Sequence, residues 1–119
     1  MNIDATTGAL AGKIKSVLER RYGDGLAAVY VFGSRARGEH QADSDLDLAV
    51  VLRQVEQPLG SIDVELLDLT YTIEIEHGLH IQLWALPAES ISADETDPSA
   101  AVGLRARLAA TIRREGIRL

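Results

Sequence analysis

Residues 31–52, Val-Phe-Gly-Ser-Arg-Ala-Arg-Gly-Glu-His-Gln-Ala-Asp-Ser-Asp-Leu-Asp-Leu-Ala-Val-Val-Leu, decide how the chain is read. The stretch begins inside an apolar run, Ala27 to Phe32, short enough for a buried strand, and breaks at Gly33-Ser34. A polar segment follows, and then an almost wholly apolar β-type run, Leu46 to Leu52, suits a central strand covered on both faces. Where the first strand turns at Gly33-Ser34 into a short helical turn, unpaired backbone N–H groups form an anion site that glycine allows a ligand to approach closely. Ser34 adds a hydroxyl donor, and Arg35 and Arg37 are near enough in sequence to bring positive charge to the same anion. Asp45 and Asp47 lie two residues apart at the start of the second strand, so their carboxylates point to one face and Leu46 and Leu48 to the other. Two such charges repel, and a divalent cation between them relieves that repulsion. Taken singly these features are ordinary: Gly-Ser before a helix is common capping, and Asp-Ser-Asp-Leu-Asp is a common entry to a strand. Their combination in one strand-turn-strand unit brings a phosphate cradle and a metal-binding carboxylate pair to neighbouring strand ends.

The rest of the chain supplies a frame for this unit. Leu10, Ile14, Val17 and Leu18 recur at helical spacing and Gly23 with Gly25 ends them, which predicts a helix over about 8–22. Pro58-Leu59-Gly60 predicts a turn, with Ser61 as N-cap, Asp63 in the first turn of a helix through Ile62, Leu66, Leu69 and Ile73, and a stop at Gly78. Leu79 to Leu86 predicts a third strand with His80, Gln82 and Trp84 on one face. Asp97-Pro98 predicts the start of a last helix that runs to Gly116. Strands separated by helices with short connections give an α+β sandwich, a small mixed sheet packed against helices, while sheet order stays open. With 119 residues and 46% hydrophobic content, one domain over 1–119 is expected.

Composition narrows the chemistry. There is no cysteine, so disulfides, thiolate metal sites and cysteine nucleophiles are excluded, and oxygen ligands favour Mg2+ or Mn2+. His40, His77 and His80 do not form a zinc spacing. No apolar run is long enough for a membrane span, and the N-terminus lacks the pattern of a signal peptide, so a cytoplasmic protein without a membrane partner is expected. The formal charge is -6, and between Arg53 and Arg105 ten Asp and Glu occur with no Lys or Arg. Nucleic acid is therefore disfavoured as a direct substrate, since such binding needs clustered cations. The basic tail, Arg105, Arg107, Arg113, Arg114 and Arg118 against Glu115, is read as a solvated helix face. Trp84 and Tyr71 are read as core residues.

The quoted stretch, with Gly-Ser followed about ten residues later by Asp-x-Asp, resembles the signature of the polymerase-beta-type nucleotidyltransferase superfamily, and most closely its minimal single-domain branch, the MNT proteins. The resemblance implies that Gly33 and Ser34 bind the triphosphate of ATP or another NTP, and that Asp45 and Asp47 ligate the metal ions bridging it. The implied reaction is transfer of a nucleoside monophosphate with loss of pyrophosphate, a two-metal displacement. Active members of the family carry a third carboxylate on the later strand. Here the corresponding position is Gln82, a neutral residue that is no base and a poor magnesium ligand, with Glu74 and Glu76 the nearest substitutes in sequence. MNT proteins pair with a helical HEPN RNase as antitoxin to toxin and can attach AMP to it. The resemblance thus implies an antitoxin acting on a HEPN-type toxin, either as an adenylyltransferase or, as Gln82 favours, by contact alone. An antibiotic nucleotidyltransferase is disfavoured, since the chain shows no acceptor domain.

Overall fold

The computed structural model describes residues 3–92 and 103–119. Helix α1 (Ala5–Tyr22) opens on Asp4, whose carboxylate accepts the Thr7 N–H at 2.7 Å. This N-cap satisfies one of the orphan donors of the first turn. A 3-10 turn (Gly23–Gly25) leads into β1 (Leu26–Phe32), the short helix α2 (Ser34–Arg37), β2 (Leu46–Leu52), α3 (Leu59–His77), β3 (Ile81–Pro87), α4 (Ala88–Ser92), α5 (Leu104–Glu115) and β4 (Ile117–Arg118).

The four strands form one mixed sheet in the order β3-β2-β1-β4. β1 runs antiparallel to both β2 and β4, whereas β2 and β3 are parallel, joined through α3. Strand alternation then sorts the side chains into two layers. Val29, Val31, Leu46, Leu48, Val50, Leu52, Ile81, Leu83 and Ala85 pack under Leu10, Ile14 and Leu18 of α1 and Ile62, Leu66 and Ile73 of α3. On the opposite face Phe32, Ala49 and Leu86 meet Ile112 of α5, with Tyr30, Trp84 and Leu108 at the margin. Six of the seven β2 residues are buried and Asp47 is the exception, as a run covered on both faces requires. None of the helices among the described residues is long and apolar enough to cross a membrane.

The expected α+β architecture is present, and several boundaries differ from expectation. α3 begins at Leu59 and has Pro58 as its cap, so Ser61 lies inside the helix. Asp63 leaves the role of dipole partner for a tertiary one: it bonds Arg105 at 2.5 Å and accepts the Ala85 N–H. Its reach to both the Ala85 amide of β3 and Arg105 of α5 decides this. β3 starts two residues later than expected, at Ile81. The last helix is described from Leu104, and the proposed start at Asp97-Pro98 lies outside the described residues. β4 was not expected at all: Ile117 and Arg118 extend the sheet by pairing with Val31 and Tyr30. Tyr71 is not core but 64% exposed on α3, while Trp84 is half-buried in the smaller core layer. Two arginines of the basic tail are likewise not solvated charges, since Arg105 is tied to Asp63 and the Ala85 carbonyl, and Arg113 donates to the Ser90 carbonyl.

Candidate functional site

The antiparallel β1–β2 register sets Phe32 opposite Asp47, so the turn that follows β1 lies beside the first residues of β2. Gly33 sits at φ 76 and ψ -156, a region that residues with a Cβ essentially avoid. A Cβ there would collide with Asp47 Oδ2 and lie 3.3 Å from Asp47 Cγ. Glycine is thus required twice, for the backbone turn and for the space the carboxylate occupies. Gly33 caps the four-residue α2, which Gly38 ends in a left-handed conformation, and the Gly33 carbonyl accepts the N–H groups of Ala36 and Arg37. The turn therefore closes tightly, with the first amides of α2 directed away from its own hydrogen-bond ladder.

Asp47 is half-buried and Asp45 exposed. Burial pushes the Asp47 carboxyl above the usual carboxylate range, the Asp45 charge pushes it further, and His80 and Arg37 partly offset this. A carboxylate raised by desolvation and by a like neighbour is one that a cation would restore to its ionised form. Parallel pairing puts Gln82 of β3 beside Asp47, on the face turned to α5. Among the described residues, no group of three or more His, Asp or Glu side chains converges to hold a metal ion by itself. The arrangement suits a hard cation that takes two carboxylates and completes its shell with water or ligand phosphates, as magnesium does. Glu74 and Glu76 do not reach this point: Glu74 accepts the Ile81 N–H and lies 3.8 Å from His80, and Glu76 pairs with Lys13 at 3.1 Å.

The two arginines diverge. Arg35 was expected to face the same anion as Ser34, but only 3% of its surface is exposed. Its guanidinium donates to the Ser44 and Ala42 carbonyls and to Thr7 Oγ1 at 2.8 Å, so it braces the loop between α2 and β2 against α1. Such a side chain has its donors committed and is inaccessible to a phosphate. Arg37 is exposed and at the site, held between Glu39 and Glu115 at 3.0 Å each.

Glu115 is the residue that sequence reasoning missed. The last residue of α5, it accepts the Gly33 N–H at 3.3 Å and the Arg37 guanidinium at 3.0 Å through the same oxygen. A carboxylate from the far end of the chain thus already sits on the amide expected to hold a phosphate. The only signal in the sequence was one acid in an otherwise basic tail, and its partner amide lies 82 residues away.

A strand-turn-helix cradle next to an aspartate pair on a mixed sheet defines a fold of the nucleotidyltransferase type. The chain belongs to the polymerase beta nucleotidyltransferase family, whose model matches residues 12–92. Comparison with curated proteins gives no match. Among solved structures, one described as a minimal nucleotidyltransferase is 26% identical, with 95% of each chain covered and a TM-score of 0.54. A toxin-antitoxin crystallised with AMP-PNP is 18% identical over 90% of this chain and 69% of that one, with a TM-score of 0.55. A mutant form of a toxin-antitoxin named MntA-HpeT is 16% identical, covering 90% of this chain and 69% of that chain, with a TM-score of 0.53. At these identities the toxin-antitoxin structures establish a shared fold.

Proposed function

We propose that this chain is an antitoxin of the minimal nucleotidyltransferase type that transfers a nucleoside monophosphate, AMP from ATP, to a HEPN-type helical RNase toxin. The observation that carries the proposal is the Asp47 carboxylate set against Gly33, with the Asp45 charge acting on it, together with the family to which the chain belongs. Support for the nucleotide and for the partner comes from the fold shared with a toxin-antitoxin crystallised with AMP-PNP.

In this reading Asp45 and Asp47 hold Mg2+ or Mn2+, which when bound neutralises the triphosphate and lowers the pKa of the attacking hydroxyl. The Gly33 turn and the Ser34 hydroxyl donate to the terminal phosphates, and Arg37 supplies their counter-charge. The partner's hydroxyl oxygen forms a bond to the α-phosphorus, the bond from that phosphorus to the bridging oxygen of the β-phosphate breaks, and pyrophosphate leaves with its new negative charge over the cradle. The hydroxyl proton passes to water, because Gln82, the side chain next to Asp47, cannot accept it. Gln82 favours a second reading, in which the chain binds nucleotide weakly or without turnover and neutralises the toxin by contact.

Incubating the purified chain, Mg2+, α-labelled ATP and the toxin separates the two. Label on the toxin that Asp45→Asn abolishes is the expected result. A toxin that is inhibited but carries no label refutes the transfer and leaves the contact reading standing.

A further inference from the structure

Four large apolar side chains on α3 face solvent: Val64 at 60% exposure, Leu67 at 55%, Tyr71 at 64% and Ile75 at 63%. Their spacing of three, four and four residues places them in one stripe along the outer side of the helix, opposite Ile62, Leu66 and Ile73, which face the sheet. Over eleven residues of helix the stripe is about 17 Å long. Its exposed apolar area is on the order of 400 Å², within the range that in monomers often marks a binding surface.

The charge around it identifies what it fits. α3 carries five acids and no Lys or Arg. Four of the five have partners within the chain: Asp63 with Arg105, Glu65 with Arg21, Glu74 with His80 and Glu76 with Lys13. Asp68 has no ion-pair partner among the described residues, and it is the acid inside the stripe, one turn after Val64 and one turn before Tyr71. A second copy of this chain is a poor occupant, because a two-fold axis at the centre of the stripe would bring Asp68 against its own mate. A stripe at three-and-four spacing is also the seam that packs against another helix.

We infer that the outer face of α3 docks an amphipathic helix of a different protein, one with a large apolar seam flanked by Lys or Arg, with a cation of that helix opposite Asp68. This deepens the partner half of the proposed function and does not rest on nucleotide transfer.

The test uses the full chain, isotope-labelled for NMR, and two synthetic helical peptides with the same leucine seam, one flanked by Lys and the other by Glu. The Lys-flanked peptide is expected to shift the amides of Val64, Leu67, Tyr71 and Ile75 and to bind at least about tenfold more tightly than its twin. Asp68→Lys should reverse that preference. Tyr71→Asp should abolish binding without changing the melting temperature or the response to Mg2+ and ATP, since Tyr71 makes no part of the core or the site. Equal binding of the two peptides, shifts away from α3, or sedimentation of the chain as a dimer that Tyr71→Asp dissociates would overturn the inference. A failure of the nucleotide reading shows separately, as loss of the Mg2+-ATP response in the unmodified chain.

Discussion

Replacing Gly33 by alanine loads two separate costs onto one atom. The first is the backbone: φ 76 with ψ -156 is nearly closed to any residue with a Cβ, and holding alanine there costs about 1–3 kcal/mol. The second is the collision of the new methyl with the Asp47 carboxylate, whose Cγ would be 3.3 Å away and its Oδ2 much closer. Asp47 is anchored in β2 and Gly33 lies in the turn after β1, so the relief available is rotation of the carboxylate or displacement of the turn. For a chain of this size about 1 kcal/mol is worth roughly 3–6 °C in Tm, so the backbone cost alone gives an expected fall of about 3–18 °C, and the collision adds to it. Measuring the same substitution in an Asp47→Ala background isolates the collision: the backbone cost stays and the steric cost vanishes, so the two effects should differ by about 0.5–3 kcal/mol. Addition of Mg2+ and ATP should raise the Tm of the unmodified chain and leave that of Gly33→Ala unchanged, because binding to the native state is what produces the shift. If Gly33→Ala melts with the wild type and still responds to Mg2+ and ATP, the placement of Gly33 against Asp47 is wrong. An identical loss in both backgrounds would leave the backbone cost and refute the collision.

Glu115→Gln removes the carboxylate seated on Gly33 N–H and Arg37, and calorimetry should find Mg2+-ATP bound about fivefold more tightly, roughly 1 kcal/mol for one charge-assisted contact released. Arg35→Ala leaves two carbonyls and a buried Thr7 hydroxyl without their donor, so it should lower stability by about 2–4 kcal/mol and speed limited proteolysis between Gly38 and Ser44. The folded pKa of Asp47 lies above its unfolded value, so its contribution to stability is full below the unfolded value near 3.8 and is lost as pH rises through the raised one. Asp47→Asn should therefore raise the Tm of the metal-free protein at neutral pH, by an amount that shrinks in thermal melts below about pH 4. Asp4 behaves oppositely: Thr7 hydrogen bonds, and then His40, hold its carboxyl down at about 2. Its contribution is present above 3.8 and lost as pH falls through about 2, so the Tm gap between wild type and Asp4→Ala should close across that window.

Much of this protein is local and therefore legible in the order of residues. Helix α1 follows from Leu10, Ile14 and Leu18 at helical spacing, and β2 from an unbroken apolar run, because periodicity states which faces must leave water. The Gly-Ser turn and Asp47 lie within fifteen residues of one another, and the antiparallel return of so short a segment is enough to bring them together. What only the tertiary structure decided depends on contacts between distant residues. Arg35 and Arg37 look equivalent in sequence, yet one lies under the α2–β2 loop against Thr7 and the other stands at the site, since the direction of each side chain is set by what packs beside α2. Ile117 and Arg118 are too short to announce a strand, and pair only because the open edge of β1 is there to receive them. Glu115 on Gly33 and Gln82 beside Asp47 are products of sheet order and helix placement. No spacing within a single segment encodes such neighbours, because they are fixed by which surfaces meet when the apolar faces are buried together.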